Sequence, residues 1–409
     1  MASKTKVGIL AKVFVEWSGG VDFITYIANA LAQNDDLEMH FLVPDSNEPI
    51  HMYEHTTPKK WRRHINKLSV PKPLELKNPS NPSLDKLAEN IKVVYYRNTP
   101  DGLLGTIDKL GLDVVLPVTE TLGKDFPKPW VGYIWDFQHR HLPKYFDQAQ
   151  IDGRDKSFQD MLQDAPAMLV NSSETKKDIT TFFPELAKQS LVVSLPFAPS
   201  LDQAWLDQDS KSVLKKYKLT RDYFAVCNQF WLHKDHITAI KAFGKIAAKY
   251  PEVDLVCTGK MEEPRDEKHI PNIRALIKKL GLQDRVHLLG FISKDDQLQI
   301  LRSSLALVQP TLYEGGPGGG AAYNAAAFGT PIIASDIPVN LEMKALDLTF
   351  FEAGSADDLA KKLEDQLGRQ VTQHSDEVLQ AESNKNMLEL SKVLHDLIEA
   401  TVVQWKKGN

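Results

Sequence analysis

Short apolar runs alternate with segments whose apolar residues recur at helical spacing along nearly the whole chain. Compact apolar runs bounded by turn residues suit strands buried on both faces, and such strands joined by helices form parallel sheets. In the first half, VGILAKVFV (7–15) predicts a strand, WSGG a turn and VDFITYIANALAQ (21–33) a helix. MHFLVP (39–44), IKVVYY (91–96), DVVLPV (113–118), WVGYIW (130–135) and AMLVNSS (167–173) extend this to an open sheet of five or six strands. The pattern pauses between Ser46 and Asp85, a proline-bearing stretch with the cluster KKWRRHINK (59–67), read as a surface excursion with one helix.

After LVVSLPFAPS (191–200) the alternation starts again. YFAVCNQF (223–230), VDLVCTG (253–259), RVHLLGF (285–291), LALVQP (305–310) and PIIASD (331–336) predict a second α/β sheet. HITAIKAFGKIAAKYP, NIRALIKKLG and DDQLQILRSS supply its helices. The proline-bounded stretch SLPFAPSLDQ is the natural hinge, which divides the chain into domains 1–198 and 199–409. The last segment, 377–408, is one long helical pattern free to pack on either domain.

Composition narrows the function classes. A 409-residue chain with 42% hydrophobic and 25% charged residues fits two soluble globular domains. A net charge of −5 supplies no overall basic field, which argues against a nucleic-acid partner bound through counterion release and requires any anionic ligand to be bound locally. Cys227 and Cys257 lie inside apolar runs, so they read as buried thiols of a reducing compartment, with no disulfide or zinc framework. The first residues lack a small-residue cleavage signal and read as a strand, and no run of about 18 apolar residues occurs, so a cytoplasmic protein is expected. The basic cluster 59–67 either rests on an anionic membrane surface or is a solvated helix.

Four loops carry distinctive chemistry. Gly19 and Gly20 open a helix after the first strand, where bare backbone lets an anion approach free N–H groups, or simply makes a tight turn. WDFQHRHLP (135–143) leaves a strand with Asp136, His139, Arg140 and His141, side chains suited to proton transfer or to holding sugar hydroxyls. NQFWLHKDH (228–236) places Lys234 at a helix start, flanked by Trp231, His233 and His236, where it meets a diphosphate or remains a solvated charge. In LYEGGPGGGAAYNAAAFG (312–329), one acid, Glu314, stands beside five glycines between a strand and a helix that a sixth, Gly329, ends. Those glycines exceed what a sharp turn needs and suit backbone amides that bind an anion.

With these loops in this order the chain resembles retaining GT-B glycosyltransferases of the family 4 type. The likeness runs through the SGG turn, DFQHRHLP, VNSSETKKDI (170–179), NQFW with Lys234 and His236, TG, LLGFIS, and TLYEGGPGGG followed by GTPIIASDIPVN. It implies two Rossmann-like α/β domains facing across a cleft, the first for the acceptor and the second for a UDP-, GDP- or dTDP-linked sugar, with no cofactor and no metal. It implies that Lys234 contacts the diphosphate, that Glu314 holds the donor sugar, and that His139, or its rival His141, reaches the sugar. Gly315, Gly316, Gly318, Gly319 and Gly320 would present amides to the sugar or diphosphate, Gly290, Phe291 and Ile292 would touch the base, and Gly19 and Gly20 would face the diphosphate from across the cleft.

Two departures stand out. The family's second glutamate falls eight residues after the first, but Ala322 stands there, and counting back from Gly329 and Pro331 its place falls on Asn324. The arginine expected five residues before Lys234 is Gln229. The compact pair Asp207 and Asp209 lies just past the hinge and reads as a solvated helix start. The implied activity is metal-independent, retaining transfer of a sugar to a hydroxyl of a glycan or lipid-linked acceptor. The rivals are a sugar-nucleotide epimerase or phosphorylase of the same fold, and a non-catalytic nucleotide-sugar-binding subunit.

Overall fold

The computed structural model describes residues 4–16, 18–45, 84, 86–369 and 374–408. The predicted excursion and its basic cluster 59–67 lie outside the described residues.

Strands β1 (Thr5–Leu10), β2 (Leu37–Pro44), β3 (Lys92–Tyr96), β4 (Val114–Val118), β5 (Trp130–Ile134), β6 (Ala167–Val170) and β7 (Leu191–Ser194) form one sheet. Its order is β3-β2-β1-β4-β5-β6-β7, with every pairing parallel. Strands β8 (Asp222–Cys227), β9 (Val253–Thr258), β10 (Val286–Gly290), β11 (Ala306–Gln309), β12 (Ile332–Ser335) and β13 (Leu348–Phe351) form the second, also all parallel, in the order β10-β9-β8-β11-β12-β13. Both sheets are doubly wound, and apolar cores cover both faces of each.

The structure differs from the sequence reading where a strand is short or only partly buried. Residues 11–16 leave β1 for a turn and a 3-10 helix, because β1 needs only Thr5–Leu10 to pair with β2. The sequence reading did not count β7 and β13 as strands. Each has four residues at a sheet edge, and only one of the four is buried, so their apolar signal is weak.

The 33-residue helix Asp376–Gly408 packs on both units. Leu379, near its start, joins Ala327 and Phe328 of the second unit. Leu390, Leu394, Leu397 and Ile398, one face at helical spacing, join Ile24, Ile27 and Leu31 of the first. Ser383 and Asn386 hydrogen-bond the crossover segment at Leu201 and Pro199, so the helix straps the junction. Among the described residues no helix is long and apolar enough to cross a membrane. Cys227 and Cys257 are buried and free, and burial raises both thiols.

Candidate functional site

In the second sheet the chain adds strands on one side of β8 and then on the other, beginning with β11. Loops leaving the carboxyl ends of β8 and β11 therefore diverge and open a crevice. Lys234 leaves β8 and Glu314 leaves β11, and the two meet there, with Nζ 2.5 Å from Oε1 and each side chain only 10% exposed. Asp235, at φ +45°, follows the lysine and caps the helix His236–Ile246 through the Thr238 amide, which pins the turn that carries Lys234. Under the pair lies Gln309, fully buried, which donates to Glu314 Oε1 at 3.3 Å and to the Gly318 carbonyl at 2.6 Å. Asn228 donates to the Gln309 Oε1 at 2.7 Å.

The glycine loop divides into two parts with different tasks. Gly318 and Gly319 sit at φ +63° and +62°, where a side chain would be strained. A Cβ on Gly319 would stand 3.3 Å from Glu314 Oε2, so bare backbone lets the carboxylate rest at the start of the helix Gly319–Phe328. A helix start carries unpaired N–H groups and partial positive charge, which favour an anion there. A Cβ on Gly320 would meet nothing within 4 Å, and half-buried Asn324 lies one turn further along the same face. That face is open.

Gly315 and Gly316 instead press on the first unit. A Cβ on Gly315 would lie 2.2 Å from the Trp135 carbonyl, and one on Gly316 would lie 3.3 Å from the Asn171 Cβ. The Gly315 carbonyl accepts hydrogen bonds from Ser172 Oγ at 2.8 Å and Thr175 Oγ1 at 2.9 Å. Phe137 N–H donates to the Tyr313 hydroxyl at 2.8 Å, and Glu342 accepts from the amides of Ser173 and Glu174, both at 2.9 Å, capping the helix Ser173–Phe182 from the opposite unit. Lys294 and Asp22 pair at 3.0 Å, and the Arg265 guanidinium lies over the Tyr145 ring. The two units are thus closed on each other around the Lys234–Glu314 pair.

The loop WDFQHRHLP contributes unevenly. Residues Gln138–His141 form one helical turn, which sends His139 and His141 to roughly opposite sides. His139, the expected sugar contact, is fully buried among Phe137, Phe146 and Phe158, with Nε2 2.9 Å from Asp155. Burial lowers its pKa against the pull of Asp155. Arg140 joins the same Asp155, so both residues bind the loop to the helix Gln148–Asp164. His141 faces the other unit, its ring 5.3 Å from that of Tyr313 and its Nε2 2.8 Å from Asp178, a bond that raises its pKa. Half-buried Asp136 also faces the cleft. Burial pushes its carboxyl above the usual carboxylate range and the charge of Glu314 adds to this, while the Gln138 amide and Arg154 pull the other way.

Other expected contacts ring the same edge. Gln229 accepts from the Lys260 amide at 2.8 Å and so links the loops after β8 and β9. Gly290, at φ +70°, ends β10 with its carbonyl accepting from the Gly259 amide, Phe291 is 70% exposed, and Ile292 packs into the core. Gly19 and Gly20 lie in the first turn of the helix Ser18–Leu31. His233 and His236 are core groups that burial lowers to a pKa of about 3, His236 stacked 4.0 Å from Phe230. Asp209 caps the helix Ser210–Lys216 through the Lys211 amide. Among the described residues one histidine–carboxylate trio could share a metal ion, Asp36, His395 and Glu399, and it lies at the amino-terminal edge of the first sheet, opposite the cleft.

Sequence reasoning missed Gln309, Asn228, Tyr313, Asn171 and Glu342. A signal existed for the first two: Gln309 ends, and Asn228 directly follows, a run of buried apolar strand residues just before a site loop. Tyr313, Asn171 and Glu342 act across the two units, and no local pattern marks them.

Residues 208–385 match the family described as glycosyl transferases group 1. Among solved structures the chain is similar to a glycosyltransferase from Rickettsia africae, with a TM-score of 0.63 at 14% identity, covering 97% of this chain and 98% of that one. It is also similar to a sucrose-phosphate synthase from Thermosynechococcus elongatus, with a TM-score of 0.57 at 16% identity over 99% and 98% of the two chains. A third is HepE of Anabaena, solved with UDP and glucose, with a TM-score of 0.56 at 14% identity over 99% and 98%. Among curated proteins none matches significantly. The fold is GT-B, two Rossmann-like α/β domains across a cleft.

Proposed function

We propose that the chain is a retaining glycosyltransferase that moves a sugar from a nucleotide-diphosphate sugar to a hydroxyl of a glycan or lipid-linked acceptor, without a metal. The observation that carries this reading is the Lys234–Glu314 pair at a helix start in the crevice between β8 and β11. Glu314 accepts hydrogen bonds from sugar hydroxyls, Lys234 and the amides after Gly318 take the diphosphate charge, and Asn324 on the open helix face meets the ribose. β10 lies two strand spacings from β8, on the order of 10 Å, so the base reaches Gly290 and Ile292 while the diphosphate stays at Lys234. The match of residues 208–385 to glycosyl transferases group 1 and the UDP held by HepE support this assignment.

In the transfer the bond between the anomeric carbon and the diphosphate oxygen breaks. The acceptor oxygen bonds to the same face of that carbon, and the acceptor proton passes to the departing diphosphate. The protein supplies preorganised positive charge and exclusion of water rather than a covalent intermediate. Because His139 is fully buried, this reading gives the contact with sugar or acceptor to His141 and Asp136. The test is turnover of UDP-, GDP- and dTDP-sugars by the wild type and by Glu314→Ala. The expected outcome is a fall of about 100-fold or more in the variant, in line with the loss of one preorganised transition-state contact. A wild type that binds a nucleotide tightly and turns over no donor with any acceptor would refute the transferase reading in favour of a binding subunit.

A further inference from the structure

We infer that Gln309 is a positioning residue of the donor site, committing one oxygen of Glu314 to the protein so that the other is presented to the sugar. The inference rests on the reading of Glu314 as the sugar-holding acid.

Gln309 is fully buried at the end of β11. Its amide orientation is dictated by chemistry. The Gly318 carbonyl and the Glu314 carboxylate can only accept hydrogen bonds, so the end of Gln309 that meets both must be its NH2 group. The oxygen end then takes the Asn228 NH2 at 2.7 Å, which locks the amide against flipping. Glu314 Oε1 therefore receives two protein donors, Lys234 at 2.5 Å and Gln309 at 3.3 Å. Both oxygens lie beside Gly319, Oε2 at 3.3 Å and Oε1 at 3.4 Å from where a Cβ there would stand, but among the described residues only Oε1 accepts a side-chain hydrogen bond, and the next helix position, Gly320, opens on empty space. A carboxylate with one oxygen held from two directions cannot rotate, so Oε2 keeps a fixed place and its lone pairs remain for ligand hydroxyls. The Gly318 carbonyl, fixed by the same amide, sets the αL turn that starts the helix. One buried side chain thus aligns the acid and the helix start.

The test compares the affinities of UDP with UDP-glucose, GDP with GDP-mannose, and dTDP with dTDP-glucose by calorimetry. The proteins are wild type, Gln309→Met, Asn228→Asp, Glu314→Ala, and Gln309→Met combined with Glu314→Ala. Asn228→Asp keeps the shape of the side chain but can only accept, so it sets an oxygen against the Gln309 oxygen and removes the bond that locks the amide toward Glu314. It is the check should Gln309→Met fold poorly. In the pair that the wild type binds, Gln309→Met and Asn228→Asp should weaken the sugar nucleotide about five- to tenfold more than the bare nucleotide, the scale of one hydrogen bond to a charged group. In the Glu314→Ala background Gln309→Met should add nothing. Equal losses for nucleotide and sugar nucleotide, or an undiminished effect without Glu314, would mean that Gln309 only supports the fold and would overturn the inference. If Glu314→Ala leaves the sugar nucleotide's affinity unchanged, or the wild type binds no pair at all, the donor-site reading itself fails and the positioning role goes with it.

Discussion

The two α/β units share a winding order yet use their carboxyl edges differently. In the second, loops from β8 and β11 bring charges and amides together: Lys234, Glu314, Gln309 and Asn228 form one connected polar group. In the first, loops after β5 and β6 offer mainly shape and backbone: the Trp135 carbonyl, the Phe137 amide, and the Ser172 and Thr175 hydroxyls seat the glycine loop. The equivalent divergence of strands in the first sheet, between β1 and β4, is lined by Leu10, Val13, Pro117 and Thr119 with Lys12 and Glu120 4.0 Å apart, while Phe14, Phe23 and Tyr133 pack together in the core beside it. The same topology holds a tight, nearly enclosed ion pair over buried amides in one unit and only a loose, partly exposed pair beside a fitted wall in the other, so the winding order places a site and the loop residues decide its chemistry.

On that contrast the second unit should be sensitive to charge and the first to volume. The largest effect is expected at Lys234. Lys234→Met leaves Glu314 without its cation in a nearly enclosed place, which costs about 3–5 kcal/mol, and adding Glu314→Gln should recover most of that stability without restoring turnover. Denaturant melts of the single and double variants, read beside donor turnover, measure both. Recovery of turnover by the double variant would show that the pair is structural only.

A smaller effect is expected at the wall. Gly315→Val puts side-chain atoms into the space of the Trp135 carbonyl and Asp136, where overpacking costs about 1–3 kcal/mol. The units should separate, with turnover reduced and nucleotide affinity, here assigned to the second unit, nearly kept. Small-angle scattering reads the opening, and an unchanged profile with unchanged activity would sink the view that the glycine loop is a seat for the first unit.

The smallest effect concerns His141. Its bond to Asp178 raises its folded pKa above the ordinary value, so the stability it contributes is fully present below the unfolded pKa and is lost as pH rises through the folded one. The melting temperature should fall slightly as pH is raised from about 6.5 upward, and His141→Gln should remove that slope. The exposed side chain keeps the effect small. A slope that persists in His141→Gln would assign it to another group.

Several features were legible in the sequence for simple reasons. The strands β8, β9, β11 and β12 are apolar runs with few alternatives. The helix 319–328 ends where Gly329 stands in the αL conformation, and the clustered glycines announced close backbone contact at Glu314. What was not legible depends on direction. His139 and His141 look equivalent in QHRH, and only one turn of helix, packed on Phe158, decides which is core and which faces the cleft. The glycines of EGGPGGG look like one anion cradle, but Gly315 and Gly316 are bare because the other unit lies against them.

The sequence by itself determined the two parallel sheets, their crossover helices and the loops able to carry charge, because hydrophobic period and turn residues act locally along the chain. Only the tertiary structure decided that Lys234 and Glu314, 80 residues apart, share one oxygen over Gln309, and that Glu342 caps a helix of the opposite unit. Those contacts arise where strand order and domain closure bring distant loops together, and no residue's local preference encodes its distance from another loop.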